Sequence, residues 1–300
     1  MSAEIDMSAE IAFIGFGEAG RAVAKGWRDE GFAGAIAAWD TKLDGAQAQP
    51  LRDAATDLDV ACGPAPVVLA GARHVLCLVT ADQAVEAARQ AAPHLAAASV
   101  WYDGNSCAPD SKREAATMIG DAGATYVDMA IMAPIRPRLH RTPLLIAGPE
   151  TALDFLDRMN MQYRWRGPRI GSASAIKMIR SVMIKGMEAL AAECLLSARR
   201  AGVLQDVLDS LQASDPATDW AAKAAYNTER MMQHGLRRAA EMREVAKTVE
   251  GLGLPADLAR ATVAWQQRIG DLGLHEREGD LMQRLAMIEE ALCLSATSAT

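Results

Sequence analysis

The first half of the chain alternates short apolar runs with amphipathic stretches. IAFIG (11–15), AIAAW (35–39), HVLCLVT (74–80), SVWYDG (99–104), TYVDMAI (125–131) and LLIAG (144–148) predict strands. Between them, segments such as EAGRAVAKGWRDEG and ADQAVEAARQAAPHL carry apolar residues at helical spacing. Strand–helix alternation predicts a parallel sheet covered on both faces, a doubly wound α/β domain ending near residue 168.

After residue 168 the strand signals stop. SASAIKMIRSVMIKGMEALAAECLLSARRAG (172–202) reads as one long helix closed by Gly202. At 1.5 Å per residue it is roughly 45 Å long. It is apolar around most of its circumference, which predicts burial between domains or subunits. Further helical patterns lie near 203–213, 217–233, 236–252 and 256–270. Residues 169–300 therefore read as an all-helical domain, joined to the first through the long helix, with a homodimer expected from the size of the apolar surface. The opening MSAEIDMSAEI repeats MSAE, as a cloning duplication or an alternative start would, so residues 1–10 are set aside as disordered or extraneous to the fold.

Composition narrows the classes of function. Half of the 300 residues are hydrophobic, enough for a sizeable core. Aromatic residues are scarce and Ala is abundant, which favours closely packed helices. A formal charge of -7 without a basic block argues against nucleic acid as a partner. No apolar run approaches the roughly 20 residues that span a bilayer, and no secretory signal is visible. Five Cys, scattered and without a C-x-x-C, read as free thiols in a reducing cytoplasm. Five His without ligand spacing predict no metal.

The chemistry starts at GFGEAG (15–20), which follows the first strand and opens a helix. That placement is the dinucleotide-binding fingerprint. Gly15 permits the tight turn, Gly17 lets the backbone approach a pyrophosphate, and Gly20 lets the helix pack closely. The turn thus offers Gly15, Phe16, Gly17, Glu18, Ala19 and Gly20 to the cofactor, with helix N–H groups facing the phosphates. Glu18 complements the helix dipole. Asp40 ends the second strand twenty residues after Gly20, where a carboxylate accepts both ribose hydroxyls and repels a 2′-phosphate. NAD is expected rather than NADP; nearby Lys42 argues the other way.

At the reacting end, Val79 and Thr80 follow a strand at the sheet edge where ligands bind, although core and turn residues need no such role. DGNSCAP (103–109) places Asn105, Ser106 and Cys107 above the next strand, either as ligand contacts or as a plain helix cap before Pro109. On the long helix Lys177, Ser181 and Lys185 lie at i, i+4 and i+8, with Glu188 a further i+3 along the same face. A lysine on a buried helix is costly without a task or a partner. Desolvation would lower its pKa and suit it to proton transfer. The alternative is a polar stripe that snorkels or pairs with Glu188.

GFGEAG, LVTADQAV, DGNSCAP and GSASAIKMIRS, in this order and spacing from residue 11 to about 200, resemble the β-hydroxyacid dehydrogenase family, whose relatives include 6-phosphogluconate and 3-hydroxyisobutyrate dehydrogenases. ERMMQHGLRRAAEMREV (229–245) is similar to a less characterised, 6-phosphogluconate-dehydrogenase-like branch. The resemblance implies a Rossmann domain, a helical domain, and hydride transfer between a nicotinamide and an alcohol carbon of a small molecule, usually a hydroxy acid. It matches Lys177 to the family's general acid/base, and Asn105 and Ser106 to positions that contact the nicotinamide end or the substrate. Ser181 stands where the family has Asn. Glu241, counted back from GLGLP, falls where the family often has the Asp of a Lys–Asp pair; Ala240 precedes it, so the pair is absent.

The family's Ser-Gly-Gly turn, which grips the substrate carboxylate, is replaced by Met132, Ala133 and Pro134. Met132 makes that pocket more apolar. Replacement donors could come from Arg136, Arg138, His140, Lys185, His234 or Arg238, and Cys107 and Glu241 complete the substrate set. A larger or less ordinary substrate, aromatic or a polyol acid, is expected. The competing readings are an imine reductase, against which Lys177 argues, and a nucleotide-binding sensor without turnover.

Overall fold

The computed structural model describes residues 9–46, 48–274 and 279–297. Most of the MSAE repeat lies outside the described residues. The chain forms two compact units, one ending at Met178 and the other starting at Ile179.

The first unit runs β1 (Ile11–Ile14), α1 (Glu18–Asp29), β2 (Ile36–Trp39), α2 (Ala48–Thr56), β3 (Val60–Cys62), α3 (Ala65–Leu69), β4 (His74–Cys77), α4 (Ala84–Ala91), β5 (Val100–Asp103), α5 (Pro109–Asp121), β6 (Thr125–Ile131), β7 (Leu144–Ala147), α6 (Leu153–Arg158) and β8 (Tyr163–Trp165). Among the described residues the strands form one sheet of order β3-β2-β1-β4-β5-β6-β7-β8. Successive residues of β1 serve opposite cores, as the strand period of two requires. Ile11 and Phe13 pack with Val23 and Trp27 of α1 and Phe155 of α6. Ala12 and Ile14 join Val68, Ala88, Ala115 and Ile119 of α3, α4 and α5. This is a Rossmann-like, doubly wound sheet.

Two details depart from the sequence reading. β3 and β8 are three-residue strands at the sheet edges, too short to give a periodic signal. β7 pairs antiparallel with β6, Asp128 opposite Ala147, so the sheet is not wholly parallel. The link between them holds only a three-residue 3-10 turn, Leu139–Arg141. Antiparallel neighbours need no crossover helix, whereas a parallel return would.

His74 on β4 is buried and stacks on Phe155, with ring centroids 4.0 Å apart. Burial first, then the nearby Arg158, lowers its pKa from the usual 6.5 to about 4. The unfolded chain therefore binds the extra proton at higher pH than the folded one. Its contribution is fully present above pH 6.5 and is lost as pH falls towards 4. Denaturant midpoints measured across that window should fall more steeply for the wild type than for His74→Gln; parallel profiles would contradict this.

The long helix α7 (Ser172–Arg200) starts in the first unit and continues into the second, which adds α8 (Leu204–Ser214), α9 (Trp220–Gly251), α10 (Asp257–Asp271) and α11 (Leu281–Thr297). α9 is one continuous helix where the sequence pattern divides in two around Gly235. That glycine serves packing and does not break the helix. A Cβ on Gly235 would meet the Gln266 carbonyl at 2.6 Å and Gly270 Cα at 2.7 Å. The α9 and α10 backbones approach closely because Gly235 faces Gly270. The helical patterns read from the sequence end at residue 270 and do not include α11. The long helix leaves Ile179, Met183 and Leu190 exposed. Among the described residues no helix is long and apolar enough to cross a membrane.

Candidate active site

The ends of four adjacent strands, β2, β1, β4 and β5, line up as a row at the C-terminal edge of the sheet. Strand order reverses between β1 and β4, the switch point at which such sheets bind ligands. Three strand spacings make the row about 14 Å long.

The glycine turn sits at the end of β1, and its three glycines are required for different reasons. Gly15 has φ +83°, and a Cβ there would meet Leu78 O at 2.7 Å and Val79 Cγ1 at 2.8 Å. A Cβ on Gly20 would lie 2.9 Å from Gly15 O. Around Gly17 nothing lies within 4 Å of where a Cβ would be. Gly17 caps α1 without a side-chain bond. The first-turn N–H groups of a helix have no partners within it, so the turn offers an open, positively polarised cradle. An elongated diphosphate fits here, and a side chain at residue 17 would fill the space. Glu18 is exposed and Ala19 half-buried in the first turn. Phe16 turns its ring into the core, and its N–H donates to Asp40 Oδ2 at 2.9 Å.

Asp40 at the end of β2 also accepts from Lys42 N–H through Oδ1 at 2.9 Å. Each oxygen thus accepts one amide, and a carboxylate has about four acceptor positions, so ribose hydroxyls can still be received. Asp40 therefore braces the glycine turn as well as presenting charge beside it.

At the β4 end Val79 touches the glycine turn and Thr80 is exposed. Val79 N–H donates to Asn105 Oδ1 at 2.7 Å, and Asn105 Nδ2 donates to Asp103 Oδ1 at 2.7 Å and Cys77 Sγ at 3.2 Å. Asn105 is buried and ties the β4 loop to the β5 loop. Cys107 is buried behind it. Ser106 is half-buried, and Lys177 Nζ donates to Ser106 Oγ at 2.6 Å. The fold thus brings together two residues 71 positions apart at the far end of the row from Asp40.

Met132 packs beside a patch of Ala130, Ala147 and Ala173. His140 is buried, with Nε2 3.1 Å from Glu30 Oε1, so it faces the C-terminal end of α1 and not the strand ends. Arg136 and Arg138 are exposed.

The remaining sequence candidates lie in the second unit. Lys185 Nζ pairs with Glu241 Oε2 at 2.8 Å and donates to Ser181 Oγ at 3.4 Å. Glu241 also receives Arg237 at 2.6 Å. Glu188 takes Arg238, not Lys185, and accepts from Gln266 Nε2 at 2.7 Å. Glu241 therefore meets a lysine from α7 in place of the family's sequence-adjacent pair. His234 stays neutral: burial, then Arg230 and Arg237, lower its pKa to about 4. Among the described residues no group of three His, Cys, Asp or Glu side chains is placed to hold a metal ion.

Sequence reasoning missed three buried ions. Asp103, Lys112 and Asp128 are all 1% exposed or less, beneath Asn105 and the start of α7. The available signal was an aspartate inside each of two apolar strands, where an ionised residue is rare without a partner.

This fold and row of strand ends define a dinucleotide-binding oxidoreductase. Residues 10–158 match the NAD binding domain of 6-phosphogluconate dehydrogenase, and residues 198–269 match a domain of unknown function, DUF1932. A conserved hypothetical protein from Sinorhizobium meliloti 1021 is 36% identical, over 94% of this chain and 96% of its own, with TM-score 0.71. A conserved protein of unknown function, described as structurally similar to 3-hydroxyacid dehydrogenases, is 28% identical over 87% of this chain and 96% of its own, with TM-score 0.65. Mycobacterium tuberculosis 3-hydroxyisobutyrate dehydrogenase, solved with L-serine, shares the fold: 16% identity, TM-score 0.70, over 94% of this chain and 98% of its own. No curated protein matches the chain. The chain carries an NAD-binding domain of the 6-phosphogluconate dehydrogenase type and shares the 3-hydroxyacid dehydrogenase fold.

Proposed function

We propose that this protein is an NAD-dependent oxidoreductase that interconverts a hydroxy acid, or a related alcohol, and its carbonyl form, with Lys177 as general acid/base. The observation that carries the reading is the 2.6 Å contact between Lys177 Nζ and Ser106 Oγ at one end of a row whose other end is Asp40. The Gly15–Gly20 turn holds the diphosphate, Asp40 the adjoining ribose, and Val79 and Thr80 flank the cofactor. The charge of Asp40 favours NAD over NADP. When bound, the nicotinamide supplies the hydride acceptor or donor. Lys177 in its neutral amine form takes the proton from the substrate hydroxyl as the alcohol is oxidised, becoming the ammonium that returns it in the reverse direction. Ser106 holds the lysine nitrogen and the reacting oxygen in line. Asn105 positions Ser106 by joining the two loops.

Met132 and its alanine neighbours supply no side-chain donor for a substrate carboxylate, which supports a substrate bulkier or more apolar than a simple hydroxy acid. The exposed Ile179, Met183 and Leu190 on one side of α7 support a homodimer. A panel of hydroxy acids, polyol acids and aryl alcohols with NAD and NADP tests the reading. NAD reduction by at least one of them, exceeding that with NADP, is expected. Reduction of a cyclic imine, with every hydroxyl and carbonyl compound inert, would make the protein an imine reductase. Inertness towards all of them would leave a nucleotide sensor.

A further inference from the structure

The Ser106–Lys177 contact joins two segments that are each fastened from below to a buried carboxylate. Asp103 and Asp128 are register partners on the adjacent parallel strands β5 and β6. Asp103 Oδ1 accepts from the N–H and the Nδ2 of Asn105, at 2.9 and 2.7 Å, and so sets the loop that presents Ser106. Its Oδ2 accepts from Tyr126 OH at 2.6 Å. Asp128 Oδ2 accepts from Gly171 N–H at 3.1 Å and from Ser174 N–H and Oγ at 3.0 and 3.2 Å. It thereby fixes the first turn of α7, one turn before Lys177.

Lys112 lies between the two carboxylates, its ammonium 2.9 Å from Asp103 Oδ1 and 3.6 Å from Asp128 Oδ1. It also donates to the Asp103 carbonyl at 2.6 Å. Burial works against its charge, but the two aspartates outweigh burial and hold its pKa above the ordinary lysine range. Three buried ions cost desolvation that an apolar trio of similar volume would avoid. A purely structural need is therefore a weak reason for them, whereas holding two segments in one fixed relation requires directional bonds.

We propose that Asp103, Lys112 and Asp128 form one positioning device that sets the distance between Ser106 and Lys177, with Asp128 acting on Lys177 through the start of α7. The proposal rests on Lys177 being the proton-transferring group, and its placement can be tested without turnover. The full chain is labelled by competitive acetylation, and the rate at Lys177 is read by mass spectrometry against the exposed Lys25. Ser106→Ala and Asp128→Asn each break the contact between the Lys177 amine and Ser106 Oγ and should raise its labelling about tenfold, the order expected for one lost charged hydrogen bond. The double variant should label no faster than either single one, because both act on the same contact.

An Asp128→Asn protein that labels like the wild type, or a double variant in which the two effects multiply, overturns the proposal. Should Asp128→Asn fail to fold, Ser174→Ala keeps the charge and both backbone bonds. It should raise labelling about threefold, and by nothing more in the Ser106→Ala background; wild-type labelling in Ser174→Ala overturns the proposal. The expected labelling pattern in a chain without turnover on any substrate would uphold the placement and remove the catalytic role.

Discussion

Replacing Lys177 by Met should lower kcat by about a thousandfold, in the middle of the range for a lost general acid/base. The methionine keeps the aliphatic stem, so packing along α7 is preserved while the ammonium is lost. NADH affinity should stay at the wild-type value, because the Ser106 contact of Lys177 lies at the β5 end of the row, away from the glycine turn on β1 that receives the diphosphate. An interaction made only during proton transfer lowers kcat and kcat/KM together. A variant with wild-type kcat would take Lys177 out of the mechanism. A raised KM with unchanged kcat would make it a binding group only.

Gly17→Val should fold normally and lose the cofactor. The backbone at residue 17 has φ −76° and ψ −150°, and a Cβ there meets nothing within 4 Å. Residue 17 is also the N-cap of α1, where valine is less favourable than glycine, so the melting temperature should fall by only a few degrees. The added side chain occupies the space a diphosphate must enter, and NADH affinity should weaken about a hundredfold, equivalent to about 2.7 kcal/mol. Gly15→Ala provides the contrast. Its φ is +83°, and its Cβ would press on Leu78 O at 2.7 Å, so this variant should lose stability as well as affinity. Gly17→Val with intact NADH affinity would place the phosphates elsewhere.

Much of this site can be read in the sequence because its parts are local. GFGEAG falls between a strand and a helix, and Asp40 ends the next strand, so chain order alone puts them side by side. Lys177 stands out as a charge on an apolar helix. The Asp103–Lys112–Asp128 cluster was not legible because its members meet only through the parallel register of β5 and β6 and the docking of α5. The second task of Asp40, bracing Phe16, was hidden for the same reason. In the fold, β7 was found as a strand, but its direction depends on how the connection from β6 is built. Gly235 looked like an interruption, since a sequence does not show that Gly270 lies against it. The residues taken for one polar stripe on the long helix find separate partners, Lys185 with Glu241 and Glu188 with Arg238, supplied by α9.

The account depends on a dinucleotide lying along the four strand ends. Titration of the full chain with NADH, followed by nicotinamide fluorescence, tests this most directly. Saturable binding of one NADH per chain, displaced by ADP-ribose, is the predicted result. Fluorescence that rises linearly without saturating, and that ADP-ribose leaves unchanged, would contradict it.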